Sequence, residues 1–180
     1  GAVFPSHLKL NAGKDMPMTL VLNGAECEPY ITCDDMLMRE RAQDIVRGGR
    51  IMRDMLGAGQ VLIGIEDNKP EAAAAMRAAV AALGEDMRVI VVPTRYPAGG
   101  AKQLIRSLTG IEVPHSKRST DFGVQCFNVG TAYAIHQAID LGRPLISRIV
   151  TVSGNVERPR NYEVLFGTPM SHLLQLAGAK

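Results

Sequence analysis

The densest concentration of chemically useful side chains runs from Asn23 to Asp35, "NGAECEPYITCDD", where Glu26, Glu28, Asp34 and Asp35 accompany Cys27 and Cys33. Glu26 and Glu28 stand two apart, so in an extended loop they project to one side. Paired carboxylates of this kind accept hydrogen bonds from a ribose or a ring N–H, or serve as acid and base. The same residues fit a solvated connection in which Asp34 or Asp35 caps the following helix. Spacing leaves both readings open. A metal centre is disfavoured, because His7, His115, His136 and His172 are scattered without ligand spacing. Cys27 and Cys33 read as structural, and no Ser/His/Asp triad can be assigned.

Two further stretches could meet a ligand. "YPAGG" (Tyr96–Gly100) leads into a helical pattern. Its glycines allow backbone N–H groups to come close to a bound group, and a helix N-terminus favours an anion. A tight turn before a helix explains the same residues, and no G-x-x-x-x-G-K-[ST] loop is present. "NVGTAYAIHQAI" has Asn128 and Thr131 where a helix begins, so helix capping and ligand contact both fit them. His136 is expected on the flank of that helix.

The elements that must carry these loops follow from periodicity. "TLVLN" (Thr19–Asn23), "QVLIGIE" (Gln60–Glu66) and "MRVIVV" (Met87–Val92) read as buried strands. Helical spacing of apolar residues runs from Asp34 to Leu56, with Gly48–Gly49 a weak point inside it. An alanine-rich helix begins near Pro70, with Asn68 as its expected N-cap, and stops at Gly84. Shorter helices are expected over Lys102–Leu108 and about Val129–Asp140, separated by an irregular polar loop (Pro114–Phe122). The β-α-β-α-β order with short connections predicts an α/β fold, with parallel strands and right-handed crossovers. Loops after the strands then share the carboxyl edge of the sheet, where ligands usually bind. From Ser147 the pattern changes to two strands around a turn and a final helix, too little to stand alone. The expected division is therefore residues 1–146 and residues 147–180.

Composition excludes several classes. A chain of 180 residues with 46% hydrophobic and 21% charged content is a globular one, and a net charge of +2 gives no case for nucleic acid. Apolar runs such as Leu145–Val152 are strand-sized, no stretch spans a bilayer, and no signal peptide is evident. Three cysteines without a C-x-x-C pair argue against a disulfide framework or a self-contained zinc or iron–sulfur site, and point to a reducing compartment.

Taken together, "GAVFPSHLKL", "NGAECEPYITCDDMLMRERA", "VLIGIEDNKPEA", "VPTRYPAGGAKQLIRSLTG" and "NVGTAYAI" resemble, in this order, the C subunit of the Rnf electron transport complexes. The chain is more distantly similar to the flavin-binding subunit of respiratory complex I. The resemblance implies a Rossmann-like parallel sheet with helices on both faces, binding FMN with NADH stacked on it. It also implies that residues 147–180 open a β-grasp domain of the soluble-ligand-binding type. The 4Fe-4S clusters of the family lie in a cysteine-rich region further along, so the chain is expected to be a fragment, inactive alone.

By matching positions, the resemblance implies that Asn23 and Glu26 approach the flavin, that Glu28 faces the nucleotide, and that Lys9 belongs to the flavin site. Tyr96, Gly99 and Gly100 would line the pocket, and Asn128 and Thr131 would lie near the phosphate or ribityl chain. Gly1 is what this chain keeps of the family's glycine loop. Ala101 and Phe127 replace a glutamate and an asparagine of the complex I relative. No catalytic side chain and no metal ligand is assigned, because the flavin carries the chemistry. The implied role is NADH oxidation, with electrons passing through iron–sulfur clusters to ferredoxin, coupled to ion translocation. The implied setting is the cytoplasmic side of the bacterial inner membrane, with membrane attachment only through the other Rnf subunits. Two alternatives stand beside it: a flavin-dependent cobalamin reductase of a bacterial microcompartment, and a cofactor-free scaffold domain that docks partner subunits.

Overall fold

The computed structural model describes residues 18–180, together with His7 and Leu10. Four parallel strands form the central sheet: β1 (Met18–Gly24), β2 (Ala58–Glu66), β3 (Arg88–Val92) and β4 (Val124–Asn128), in the order β3-β2-β1-β4. Alternation along the strands sends side chains to two separate cores. Leu20, Leu22, Ile63 and Ile65 face one side, where they meet α1 (Cys33–Glu40), α2 (Ala42–Leu56), α3 (Pro70–Leu83) and α5 (Val129–Ile139). Val21, Leu62 and Val124 face the other, against α4 (Ala101–Thr109). Burial on both faces explains the continuous apolar character of the strands.

Several expected details differ. The helix read as one run from Asp34 to Leu56 is two, broken at Arg41 (φ −129°, ψ 30°), whose N–H closes α1 and whose carbonyl opens α2. The break frees α1 to lie against α3 while α2 packs along α5. Gly48 and Gly49 are contacts rather than weak points. A Cβ on Gly48 would stand 1.8 Å from the Ala132 carbonyl oxygen of α5, and one on Gly49 would stand 2.8 Å from Leu22 Cδ1. At position 48 only glycine permits that approach between helices. His136 is buried, with Nδ1 2.7 Å from Asp140 and Nε2 3.5 Å from Asp44 of α2, so it ties the same two helices together. The N-cap of α3 is Lys69, one residue beyond Asn68. Strand β4 has no counterpart among the elements expected from periodicity.

After α5 the chain forms an antiparallel hairpin, β5 (Ser147–Val152) with β6 (Arg160–Leu165), followed by α6 (Met170–Ala177). Arg158 of the connecting turn donates to the Leu176 carbonyl through Nε (2.9 Å) and Nη2 (2.6 Å), closing the turn onto α6. No helix among the described residues is long and apolar enough to cross a membrane.

Candidate functional site

Strand order makes the site. The chain moves from β1 outward to β2 and β3, then returns to place β4 on the other side of β1. The direction therefore reverses between β1 and β4, and the crevice at such a reversal, outside the carboxyl ends, is where open α/β sheets bind ligands. Asn23 and Asn128 are register partners at that point.

Each loop end at this edge is fastened to another. Asn23 Nδ2 donates to the Gly99 carbonyl at 2.8 Å, and its Oδ1 accepts the Ala25 N–H at 3.0 Å. A Cβ on Gly99 would lie 2.5 Å from the Ala25 carbonyl oxygen and 3.0 Å from Cys27 Sγ, so the loop after β3 can lie against the loop after β1 only through a glycine. Gly100 accepts the first backbone bond of α4, from Leu104 at 2.9 Å. Asp67, after β2, accepts both the N–H and the hydroxyl of Thr94, after β3, which hold its carboxyl below the usual range. Asn128 caps α5 by accepting the Gly130 N–H at 2.8 Å, and its amide donates to Asp34 at 2.6 Å.

The acidic loop is organised around Glu26. Its carboxylate collects the Asp34 N–H (2.9 Å), the Asp35 N–H (3.2 Å) and the Cys33 thiol (3.3 Å), placing a negative charge at the N-terminus of α1. Capping of α1 expected from Asp34 or Asp35 thus comes from Glu26, and both aspartates lie in the first turn; Thr32, the N-cap residue, makes no side-chain cap bond. Burial pushes the Asp34 carboxyl up, with Asn128 opposing, and pushes the Cys33 thiol up to about 11. Glu26, Cys33 and Asp34 bring ligand-type atoms within 4.8 Å of one another, joined by the Cys33 thiol and the Asp34 N–H donating to Glu26 and the Asn128 amide donating to Asp34.

Glu28 and Tyr96 are exposed, and their side chains have no hydrogen-bond partner among the described residues. Tyr30, close to Glu28, holds a left-handed backbone (φ 66°) while 84% exposed. Thr131 is half-buried in the first turn of α5. Gly1 and Lys9 lie outside the described residues. Two side chains at this edge were not singled out in the sequence. Glu66, 1% exposed at the end of β2, accepts the Glu26 N–H at 3.2 Å through Oε2, while its Oε1 has no partner among the described residues. Desolvation raises its pKa, with Lys69 opposing. Arg148 of β5 brings its guanidinium within 3.3 Å of where a Gly130 Cβ would stand. The position of Glu66 at a strand's carboxyl end was a usable signal; Arg148 had none, since it comes from the hairpin.

A cleft of about 680 Å³ runs between α1, α5 and the hairpin, lined by Met36, Leu37, Tyr133, Arg148, Ile149 and Leu165 among others. None of the described residues expected at the flavin lines it. The loop contacts, the glycine approach and the topological reversal converge instead at the sheet edge, which is the candidate site.

Residues 1–137 match the Nuo51 FMN-binding domain family, and residues 149–180 match the SLBB domain family. Over 99% of its length the chain is 54% identical to the C subunit of the ion-translocating oxidoreductase complex from Erwinia tasmaniensis, and 53% identical to that from Salmonella typhimurium. It spans 22% and 24% of those proteins. Among solved structures, the NAD+-reducing nickel–iron hydrogenase shares the fold: TM-score 0.80 in the air-oxidized state and 0.83 in the H2-reduced state, at 20% identity. These matches cover 99% and 98% of this chain and 36% of the hydrogenase chain. Fold and sequence agree that the chain belongs to the Nuo51 FMN-binding domain family, alongside the C subunit of the Rnf-type ion-translocating oxidoreductase complexes.

Proposed function

We propose that this chain is the FMN- and NADH-binding part of the flavoprotein subunit of an Rnf-type complex, with residues 1–146 forming the nucleotide-binding domain and residues 147–180 the start of a β-grasp domain. The observation that carries this reading is the convergence of Asn23, Gly99 and Asn128 at the point where strand order reverses. The donor set fits a planar, phosphate-bearing group: close-packed glycines, an asparagine-capped helix N-terminus and carboxylates on the opposite loop. Bound FMN would supply a hydride acceptor that releases electrons singly.

In this reading the chain's residues bind and orient. Asn128, Thr131 and the first turn of α5 hold the phosphate or ribityl end, joined by Lys9 and Gly1 from the N-terminal segment. Gly99, Gly100 and Tyr96 line the ring pocket, with Asn23 fixing the glycine loop against β1. Glu28 faces the nucleotide, and Glu26 keeps the acidic loop negative beside the ring. Any 4Fe-4S clusters of the full-length subunit would take the electrons onward to ferredoxin, coupled to ion translocation. The subunit sits peripherally on the cytoplasmic side of the membrane, held by its partner subunits.

An anaerobic NADH titration of the full-length subunit, followed by flavin absorbance, tests the reading. Stoichiometric bleaching is expected. A colourless protein, or a yellow one that NADH leaves oxidised, overturns it.

A further inference from the structure

We propose that Thr151 and Asn161, on the hairpin, are positioning residues for the Glu26 carboxylate at the carboxyl edge of the sheet. They face each other as cross-strand partners of β5 and β6, and Thr151 Oγ1 donates to Asn161 Oδ1 at 2.7 Å. Both act on Thr32. The Thr32 N–H donates to Thr151 Oγ1 at 3.1 Å, and the Thr32 carbonyl accepts from Asn161 Nδ2 at 3.2 Å. The Thr32 hydroxyl lies 3.2 Å from Asn161 Oδ1 and 3.1 Å from Asn161 Nδ2. One residue is thus held at its N–H, its carbonyl and its hydroxyl by side chains 119 and 129 positions downstream.

Thr32 is where the direction of α1 is set. Its carbonyl also accepts the first backbone bond of the helix, from Met36 at 3.0 Å. The next three residues, Cys33, Asp34 and Asp35, are the donors that converge on Glu26. Turning the Thr32 peptide turns all three donors, and a carboxylate held by three donors moves with them. Attachment of the hairpin does not by itself require this arrangement, because Ile149 already packs against the main core. The polar grip adds a defined orientation at the head of α1. In the reading proposed above, on which the functional consequence rests, the hairpin thereby fixes the acidic wall of the flavin and nucleotide site from the neighbouring domain.

The test compares Thr151→Val and Asn161→Ala with Thr151→Ser, which keeps the hydroxyl, in the full-length subunit. Amide exchange at Asp34 and Asp35 is expected to rise about tenfold in the two disruptive variants and to stay at the wild-type rate in Thr151→Ser. Exchange at Leu20 and Ile63 is expected not to change, which separates a local release from general loosening. In the flavin-loaded protein the disruptive variants are expected to raise the NADH KM about threefold with kcat little altered. If Asn161→Ala fails to fold, the near-isosteric Thr151 pair decides. Wild-type protection at Asp34 and Asp35 overturns the proposal, and so does lost protection with an unaltered KM. A wild-type subunit that binds no flavin defeats the functional reading instead, and amide protection alone then decides the positioning claim.

Discussion

At the carboxyl edge of the sheet, loop ends are joined pairwise by side-chain hydrogen bonds, over a core in which Leu20, Leu22 and Ile63 have no solvent contact. The hairpin and α6 bury Val152, Leu173 and Ala177, and leave Leu165 and Phe166 60% and 54% exposed. The first region is ordered by what lies beneath it. The second takes its order from the grip on Thr32, the packing of Ile149 against the main core, and internal bonds such as those from Arg158 to α6. A site assembled from loops can be rigid when its polar cross-links stand on a dry core, whereas a hairpin with little core of its own must borrow rigidity from a neighbour.

Substitutions can break or sharpen that contrast. The largest effect is expected for Gly48→Val, which drives a branched side chain into the Ala132 carbonyl and should destabilise the α/β domain by about 3 kcal/mol or more in urea unfolding. Next, Leu20→Ala should cost about 3 kcal/mol, while Leu165→Ala on the hairpin should stay within about 0.5 kcal/mol. Equal effects at those two leucines would remove the distinction between the regions.

Glu66→Gln tests the cross-links through pH. The buried carboxyl has its pKa raised above its ordinary value of 4.5, so over the interval between those values the folded state binds more protons than the unfolded one. Stability contributed by that proton is present below 4.5 and is lost as pH rises through the folded value. Wild-type urea midpoints should therefore fall relative to those of Glu66→Gln as pH rises from acid to neutral. A parallel pH response in the two proteins would contradict it. The smallest effect is expected from Glu28→Gln in the full-length subunit. Removing one exposed charge facing the proposed flavin should raise its midpoint potential by about 30 mV at most, equivalent to about 1.4 kcal/mol for two electrons.

Much of the architecture was legible because it is local. Strands β1, β2 and β3 declare themselves by short apolar runs, and α3 stops at Gly84, which adopts the left-handed backbone expected of a helix-ending glycine. Strand β4 was missed because "VQCFN" is only five residues long and lies directly between a polar loop and a helix; it pairs with β1 in the fold. The break at Arg41 was missed for a similar reason: no glycine or proline marks it, and packing of α1 on α3 decides it. At the site, local pattern offered Gly99 and Asn128 as candidates and the family resemblance added Asn23, but neither gave their mutual bonds. Glu26 looked like a ligand group in the sequence; its contact with the head of α1 depends on a chain reversal that no local pattern encodes. Glu66 stands at the carboxyl end of a strand, which marks it for the ligand edge, but its burial is visible only in the folded chain.

The Cys33 thiol carries a last consequence. With its pKa pushed up to about 11, only about one molecule in ten thousand presents a thiolate at neutral pH. Peroxide attacks thiolates, and reduced flavins generate peroxide when they meet dioxygen. A sulfur in the proposed flavin loop is thereby held as the less reactive thiol, by burial first and then by the neighbouring Asp34 and Glu26 carboxylates.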